Sequence, residues 1–299
     1  MKKAIGGGNG ILACLTAFFV VCIWGTTFVQ TKVLINAGLH PEEIFLFRFL
    51  LAYLFIIPFA GKRLFLDNLK DEAAALLLGI TGGSLYFATE NTALVYGYCS
   101  NVSLIVCVTP LTTALLMGWL YPSERLGRKA LLASLVALIG VALVVFNGNF
   151  VLKLSPLADG LAFAACICWT LYSLLMRYIA GKYSTLLIMR KVFGYGVLTI
   201  LPFFISNAPR WELVADAEPV VWINLLTLGC VASLICYTLW NFVLDRLGTV
   251  RATNFIYFNP VVTMVTSWLV LGERITPIAI VGAVMVLAGM YWAEKFRKK

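Results

Sequence analysis

Long apolar runs separated by short polar turns, many carrying Gly or Pro, recur ten times along the chain. They fall at 11–35, 44–60, 73–97, 100–121, 129–146, 158–178, 185–205, 220–244, 250–271 and 277–295. A helix rises about 1.5 Å per residue, so runs of about 20 residues match the hydrocarbon thickness of a bilayer. The pattern predicts an all-α integral membrane protein with ten transmembrane helices. The connections are short and leave no room for a soluble domain of ordinary size. Lys2 and Lys3 precede a first run longer than the apolar core of a signal peptide, which predicts an uncleaved first helix.

Composition agrees with this. Of 299 residues 61% are hydrophobic and only 12% are charged, about half the charge of a soluble domain. The net charge of +9 alone would suggest nucleic acid, but its distribution gives another reading. With both termini placed inside, sixteen Lys and Arg fall on the inner segments and four on the outer ones. Arg48, Arg190 and Lys191 lie within spans. This asymmetry predicts cytoplasmic termini, with lipid rather than nucleic acid as the partner of the basic excess, and the expected location is the inner (cytoplasmic) membrane. The eight cysteines show no paired C-x-x-C spacing and read as small apolar packing residues. His40 is the single histidine, so a histidine-based metal or acid–base site is not expected.

The chain also repeats. An offset of 150 superposes Pro110 on Pro260, Gly79 on Gly229 and Asn91 on Asn241. Small slips superpose Glu124-Arg125-Leu126 on Glu273-Arg274-Ile275, Gly140 on Gly289, Trp24 on Trp169 and Arg48 on Arg190. Each half, 11–146 and 158–295, then holds five spans. Because five is odd, the second half is inverted, as in secondary transporters with a midplane binding site between the halves.

The first copy reads Trp24-Gly25-Thr26-Thr27-Phe28, Arg48-Phe49, a glycine-bearing third span, Pro110, Glu124-Arg125-Leu126 and Leu138-Ile139-Gly140. The second carries Trp169, Pro260, Gly272-Glu273-Arg274-Ile275 and Leu287-Ala288-Gly289. This pattern resembles the EamA domain of the drug/metabolite transporter superfamily over about residues 11–295. The second copy departs from it at Thr170, where the first has Gly25, and at Arg190-Lys191, where Arg-Phe is expected. The resemblance implies a ten-helix carrier with both termini inside. It also implies an alternating-access cavity lined mainly by spans one, three, four, six, eight and nine, and export of amino acids, other metabolites or drugs.

Candidate transport residues follow from the cost of polarity inside a bilayer. Glu90 is the acid placed deep in a span, where a charge costs at least about 2.5–3.5 kcal/mol on insertion scales. It shares a helical stripe with Gly79, Gly83, Tyr86, Ala93 and Gly97. Arg48 lies at a similar depth, so either an ion pair with Glu90 or a role for Glu90 toward a cation, an amine or a proton is open. Asn91 and Asn241 either hydrogen-bond a substrate or tie helices together. Asp245 and Arg190 would form an inner counterpart of the Arg48–Glu90 pair, the two closing in turn as a gate. Pro110 and Pro260 free the carbonyls of Val106 and Ile256 and mark bends, flanked by Thr109, Asn254, Tyr257 and Asn259 among others. Trp24, Trp169, Tyr86 and Tyr237 lie too deep for an interfacial belt and serve either as core or as cavity lining.

Gly6-Gly7-Gly8-Asn9-Gly10 lacks the Lys-Ser/Thr of a phosphate loop. Neither cofactor nor metal is expected, and no catalytic residue is assigned. The expected function is secondary transport, with export of small metabolites such as aromatic or amphiphilic amino acids. Uptake or exchange by the same fold is the first alternative, and an integral membrane lipid-modifying enzyme the second. The expected partners are a small-molecule substrate and the bilayer, with protons a candidate coupling ion and a monomer as the working unit.

Overall fold

The computed structural model describes residues 7–97, 99–122, 125–146, 155–205, 208–215, 218–271 and 274–297. Glu124, Gly272 and Glu273 of the repeat motif, with Lys2, Lys3, Lys153, Lys298 and Lys299 of the charge count, lie outside them. Ten helical segments follow one another among the described residues: α1 (Gly7–Asn36), α2 (41–59), α3 (69–96), α4 (99–120), α5 (Arg128–Phe146), α6 (Pro156–Ile179), α7 (185–204), α8 (219–247), α9 (249–271) and α10 (Pro277–Arg297). A short helix, Trp211–Ala215, precedes α8. Six of the described helices are long and apolar enough to cross a membrane by length and composition. The remaining segments carry charges or breaks, as α2 does with Glu42, Glu43 and Arg48 and α3 with Asp71, Glu72 and Glu90. The chain is an all-helical multi-pass membrane protein.

Local chemistry accounts for the helix ends. Pro41, Pro156, Pro219 and Pro277 open α2, α6, α8 and α10, where a missing N–H costs no helical bond. Asn68 caps α3 by accepting from the Asp71 amide at 2.8 Å, and Ser184 caps α7 by accepting from the Leu187 amide at 3.3 Å.

The two halves interlock rather than sit side by side. Helix α1 packs on α8 and α9, and its counterpart α6 packs on α3 and α4. Helix α2 packs on α8 as α7 packs on α3, while α2–α7 and α5–α10 pair across the halves. Exchanging each helix with the one five places on reproduces this set, the mark of a pseudo-two-fold relation. The α5–α10 pair is the tightest: a Cβ on Gly140 would come within 2.7 Å of the Gly282 carbonyl, and one on Gly289 within 2.5 Å of the Ala137 amide. Small residues let backbones approach this closely, which matters in lipid, where dispersion contacts drive helix association.

Both halves are broken at matching places. Wider π turns interrupt α3 at Ile80–Ser84 and α8 at Thr227–Ile235. Pro110 and Pro260 stand in the first turn of the helices Thr109–Leu120 and Asn259–Leu271, so α4 and α9 restart there, as the proline spacing predicts. The carbonyls that proline frees are not orphaned. Thr109 Oγ1 donates to the Val106 carbonyl at 2.6 Å, and Cys107 Sγ donates to the Ile256 carbonyl at 3.8 Å. The described cysteines are free thiols.

Candidate functional site

A cavity of about 500 Å³, its open mouth included, lies between the halves. It is walled by α1 (Trp24, Thr27, Phe28), α2 (Arg48), α3 (Tyr86, Phe87, Glu90), α4 (Val106, Thr109), α6 (Trp169), α8 (Tyr237) and α9 (Ile256, Asn259). The helix breaks explain why backbone and side chains of so many elements converge here. Val106 and Ile256, whose carbonyls the prolines free, are both on the wall.

The π turns are tied across the halves by aromatic donors. Trp24 Nε1 donates to the Ala232 carbonyl at 3.0 Å, and Tyr237 OH donates to the Gly82 carbonyl at 2.7 Å. Gly82 and Ala232 are 150 residues apart and so occupy equivalent places in the two copies. At Gly82 a Cβ would lie 2.2 Å from the Tyr172 ring, so a glycine is required there. Trp24, Trp169 and Tyr237 meet edge to face, with centroids 5.3 to 5.8 Å apart. Tyr86 lies 5.2 Å from Trp169, and Trp240 backs Trp24 at 5.0 Å. The deep aromatic residues are thus one cluster that forms both core and cavity wall.

The two buried charges on the wall are held by neighbouring residues of α3. Tyr86 OH donates to Glu90 Oε1 at 2.7 Å. The Arg48 guanidinium lies 4.2 Å over the Phe87 ring, and its Nε donates to Ser233 Oγ at 2.9 Å. No direct ion pair joins Arg48 to Glu90. Both are on one wall, but Arg48 rests on the Phe87 ring and Glu90 on the Tyr86 hydroxyl instead of on each other. The Arg48 terminal nitrogens and Glu90 Oε2 make no hydrogen bond among the described residues. Trp169 Nε1 and Asn259 Oδ1 are likewise buried without a partner.

Several sequence candidates fall away from the wall. Asn91 Nδ2 donates to the Pro41 carbonyl at 3.2 Å, tying α3 to the start of α2. Asn241 Nδ2 contacts Met189 Sδ at 2.8 Å, and its Oδ1 accepts from Tyr172 OH at 3.3 Å, tying α8 to α7 and α6. Both asparagines are therefore helix ties. Asn254 is buried off the wall, and Tyr257 packs with Cys107, Val141 and Val286. Asp245 and Arg190 do not pair. Asp245 is exposed, whereas Arg190 is buried and donates to the Gly61 carbonyl at 2.8 Å. Wall residues not among the leading candidates are Thr27, Phe28, Phe87, Val106, Thr109, Ile256 and Asn259. Thr27 and Phe28 belong to the quoted motif, and Thr109 and Asn259 flank the prolines, so position beside a motif was the available signal.

The ionic ties between the halves lie at the helix ends instead. On the face where α1 begins and α10 ends, Lys182 donates to Asp71 Oδ1 at 2.9 Å and Tyr183 OH to Asp71 Oδ2 at 2.8 Å. Beside them Lys191 and Tyr195 both bind Glu72 Oε1, and the Leu66 amide binds its Oε2 at 2.8 Å. Hydrogen bonds from Lys182 and Tyr183 hold the Asp71 carboxyl well below the usual carboxylate range. On the opposite face Arg210 donates to both carboxylate oxygens of Glu43, with Nη2 at 2.6 Å from Oε2 and Nε at 3.0 Å from Oε1. Burial pushes Glu43 up, but its bonds from Arg210 and the His40 amide outweigh this and bring it down to about 2. In Glu43–Arg210 the first half supplies the acid at the start of α2. In Asp71–Lys182 the second half supplies the base near the start of α7, and the partner in each case lies at the following connection or helix start. The two ties are thus equivalent in place and reversed in charge.

Two interlocked five-helix halves with matched breaks around a central cavity define a membrane transporter of the repeat-built class. The chain belongs to the EamA-like transporter family, whose model matches residues 11–146 and 156–293. It is 27% identical over 295 residues to a "Probable amino-acid metabolite efflux pump" of Escherichia coli, covering 95% of this chain and 93% of that one. It is 24% identical over 221 residues to a "Probable terminal-alkyne amino-acid exporter" of Streptantibioticus cattleyicolor, covering 74% and 72%. A solved crystal structure superposes with a TM-score of 0.77 at 17% identity, covering 96% of this chain and 99% of that one, so the fold is shared.

Proposed function

We propose that this chain is a secondary transporter that exports small metabolites, aromatic or amphiphilic amino acids first among them. It would sit in the cytoplasmic membrane with both termini inside. The observation that carries this reading is the central cavity, in which two charged side chains and an aromatic wall meet between the two halves. The names of the relatives agree with export of amino-acid metabolites.

The mechanism follows from where the structure is stiff and where it is broken. Matched breaks in α3, α4, α8 and α9 surround the cavity and supply the bends that alternating access needs. The charge-reversed ties close opposite faces, Glu43–Arg210 on one and Asp71–Lys182 with Glu72–Lys191 on the other. Rocking of the halves opens one set while the other holds, with the cavity residues staying on the substrate.

Reconstitution into proteoliposomes tests this. Flux of labelled amino acids and amines, with and without a pH gradient, is expected for a subset of aromatic or amphiphilic solutes. Absence of flux in either direction across that panel, with folded protein, would overturn the transporter reading.

A further inference from the structure

We propose that the cavity is a zwitterion clamp, resting on the transporter reading above: Arg48 takes the substrate carboxylate, Glu90 takes its ammonium, and Trp24, Trp169 and Tyr237 hold its side chain. The inference starts from what the cavity leaves unfilled. The Arg48 terminal nitrogens, which make no hydrogen bond among the described residues, offer donors, and so does Trp169 Nε1, buried without a partner on a residue only 5% exposed. Glu90 Oε2 offers an acceptor, and so does Asn259 Oδ1, on a residue 7% exposed. Trp240 and Arg190 also keep an unpartnered N–H, but neither is on the cavity wall. Buried polar atoms in a folded protein are nearly always satisfied, and the two exceptions that share this cavity, Trp169 Nε1 and Asn259 Oδ1, point to a ligand. Unused donors match a carboxylate and unused acceptors match an ammonium.

Geometry keeps the two ends apart. Phe87 lies under Arg48 at 4.2 Å and Tyr86 holds Glu90 at 2.7 Å, with their ring centroids 4.8 Å apart. Neighbouring residues of α3 thus hold Arg48 of α2 and Glu90 of α3 on one wall with no direct ion pair between them. A lone amine would satisfy Glu90 and leave Arg48 buried and unpaired, and a lone acid would do the reverse. Truncating one partner of a buried charge pair costs about 2 kcal/mol or more, about thirtyfold in affinity. An α-amino acid satisfies both. Because the solute is neutral overall, it adds no net charge to the cavity, so flux without proton exchange is electroneutral.

Quenching of cavity tryptophan fluorescence in the purified full-length chain tests the clamp, with binding of phenylalanine, tryptophan and leucine compared with phenylethylamine and 3-phenylpropionate. We expect at least one amino acid to bind about thirtyfold tighter than either half-molecule. Arg48→Gln should abolish that gap against phenylethylamine but not against 3-phenylpropionate. Glu90→Gln should do the converse. Monodispersity and melting temperature establish that each variant folds, and Arg48→Lys, which keeps the charge, should retain part of the affinity. Where reconstituted flux is seen, an imposed potassium–valinomycin potential should leave its rate unchanged. Equal binding of phenylethylamine and phenylalanine, or no binding by any of the three amino acids, would overturn the clamp. Flux of some other solute would then leave the transporter reading standing. Zwitterion binding with no flux would do the opposite, supporting the clamp and removing that reading.

Discussion

The two halves share a fold, and at the cavity they do different work. Trp24 and Trp169 are repeat mates, yet Trp24 Nε1 is bound to the Ala232 carbonyl while Trp169 Nε1 has no partner. The carbonyl equivalent to Ala232, that of Gly82, is taken by Tyr237 instead. Arg48 and Arg190 diverge in the same way, the first on the cavity wall and the second on the Gly61 carbonyl. Where the first half has Glu90, the offset of 150 puts Trp240 in the second. The pseudo-symmetry thus governs backbone and breaks, whereas the chemistry is one-sided: charges come from the first half, and the unpartnered donor and acceptor from the second. A symmetric cavity would bind a symmetric solute, and this one is built to hold two unlike ends.

Substitutions that treat the repeat mates alike should separate them. The largest effect is expected at Arg48. Arg48→Gln should lower flux about a hundredfold or more, equivalent to about 2.7 kcal/mol, while Arg190→Gln leaves flux within a few-fold. Initial rates per folded carrier in proteoliposomes decide this, and equal losses would make the two arginines equivalent after all. Next is Lys191→Met, which leaves the largely buried Glu72 to Tyr195 and the Leu66 amide. Loss of one partner of a largely buried pair should cost about 2–3 kcal/mol of stability, measured by denaturant unfolding in micelles.

Smaller differences are expected at the tryptophans. Trp24→Phe removes the donor to the Ala232 carbonyl in the π turn and should destabilise by about 1–2 kcal/mol. Trp169→Phe removes an N–H that binds nothing, so it should destabilise less than Trp24→Phe, by lost ring packing alone, while weakening zwitterion binding. The smallest expected effect is acid sensitivity on the face away from the start of α1 and the end of α10. Glu43 is held at about 2 against an ordinary 4.5. The stabilisation is therefore complete above pH 4.5 and fades as pH falls toward 2. Glu43→Gln should flatten that part of the stability profile, and a profile unchanged by the substitution would contradict the Arg210 tie.

Part of the site was legible in the chain and part was not. Trp24, Tyr86, Glu90, Trp169, Tyr237 and Arg48 were found because deep polar and aromatic residues in an apolar run need a reason, and all six are on the wall. Asn91 and Asn241, for which substrate binding and helix ties were both open, lie off that wall and tie helices, because a repeat keeps helix ties as faithfully as it keeps sites. Arg48 and Glu90 were placed at similar height, with an ion pair as one of two open relations. Rise per residue sets depth, but the rotation of each helix about its axis decides which groups touch.

The apolar runs, their turn signals and the offset of 150 determined ten helices, two copies and the breaks at Pro110 and Pro260. These are local properties: a span needs only length and apolarity, and a break of this kind needs only a proline. Tertiary structure alone decided which half supplies charge and which supplies unpartnered atoms. It also decided that the ionic ties run from Asp71 to Lys182 and from Glu43 to Arg210, residues more than 100 positions apart. Such contacts depend on how two interlocked halves rotate and slide against each other, and no periodicity within one helix encodes that.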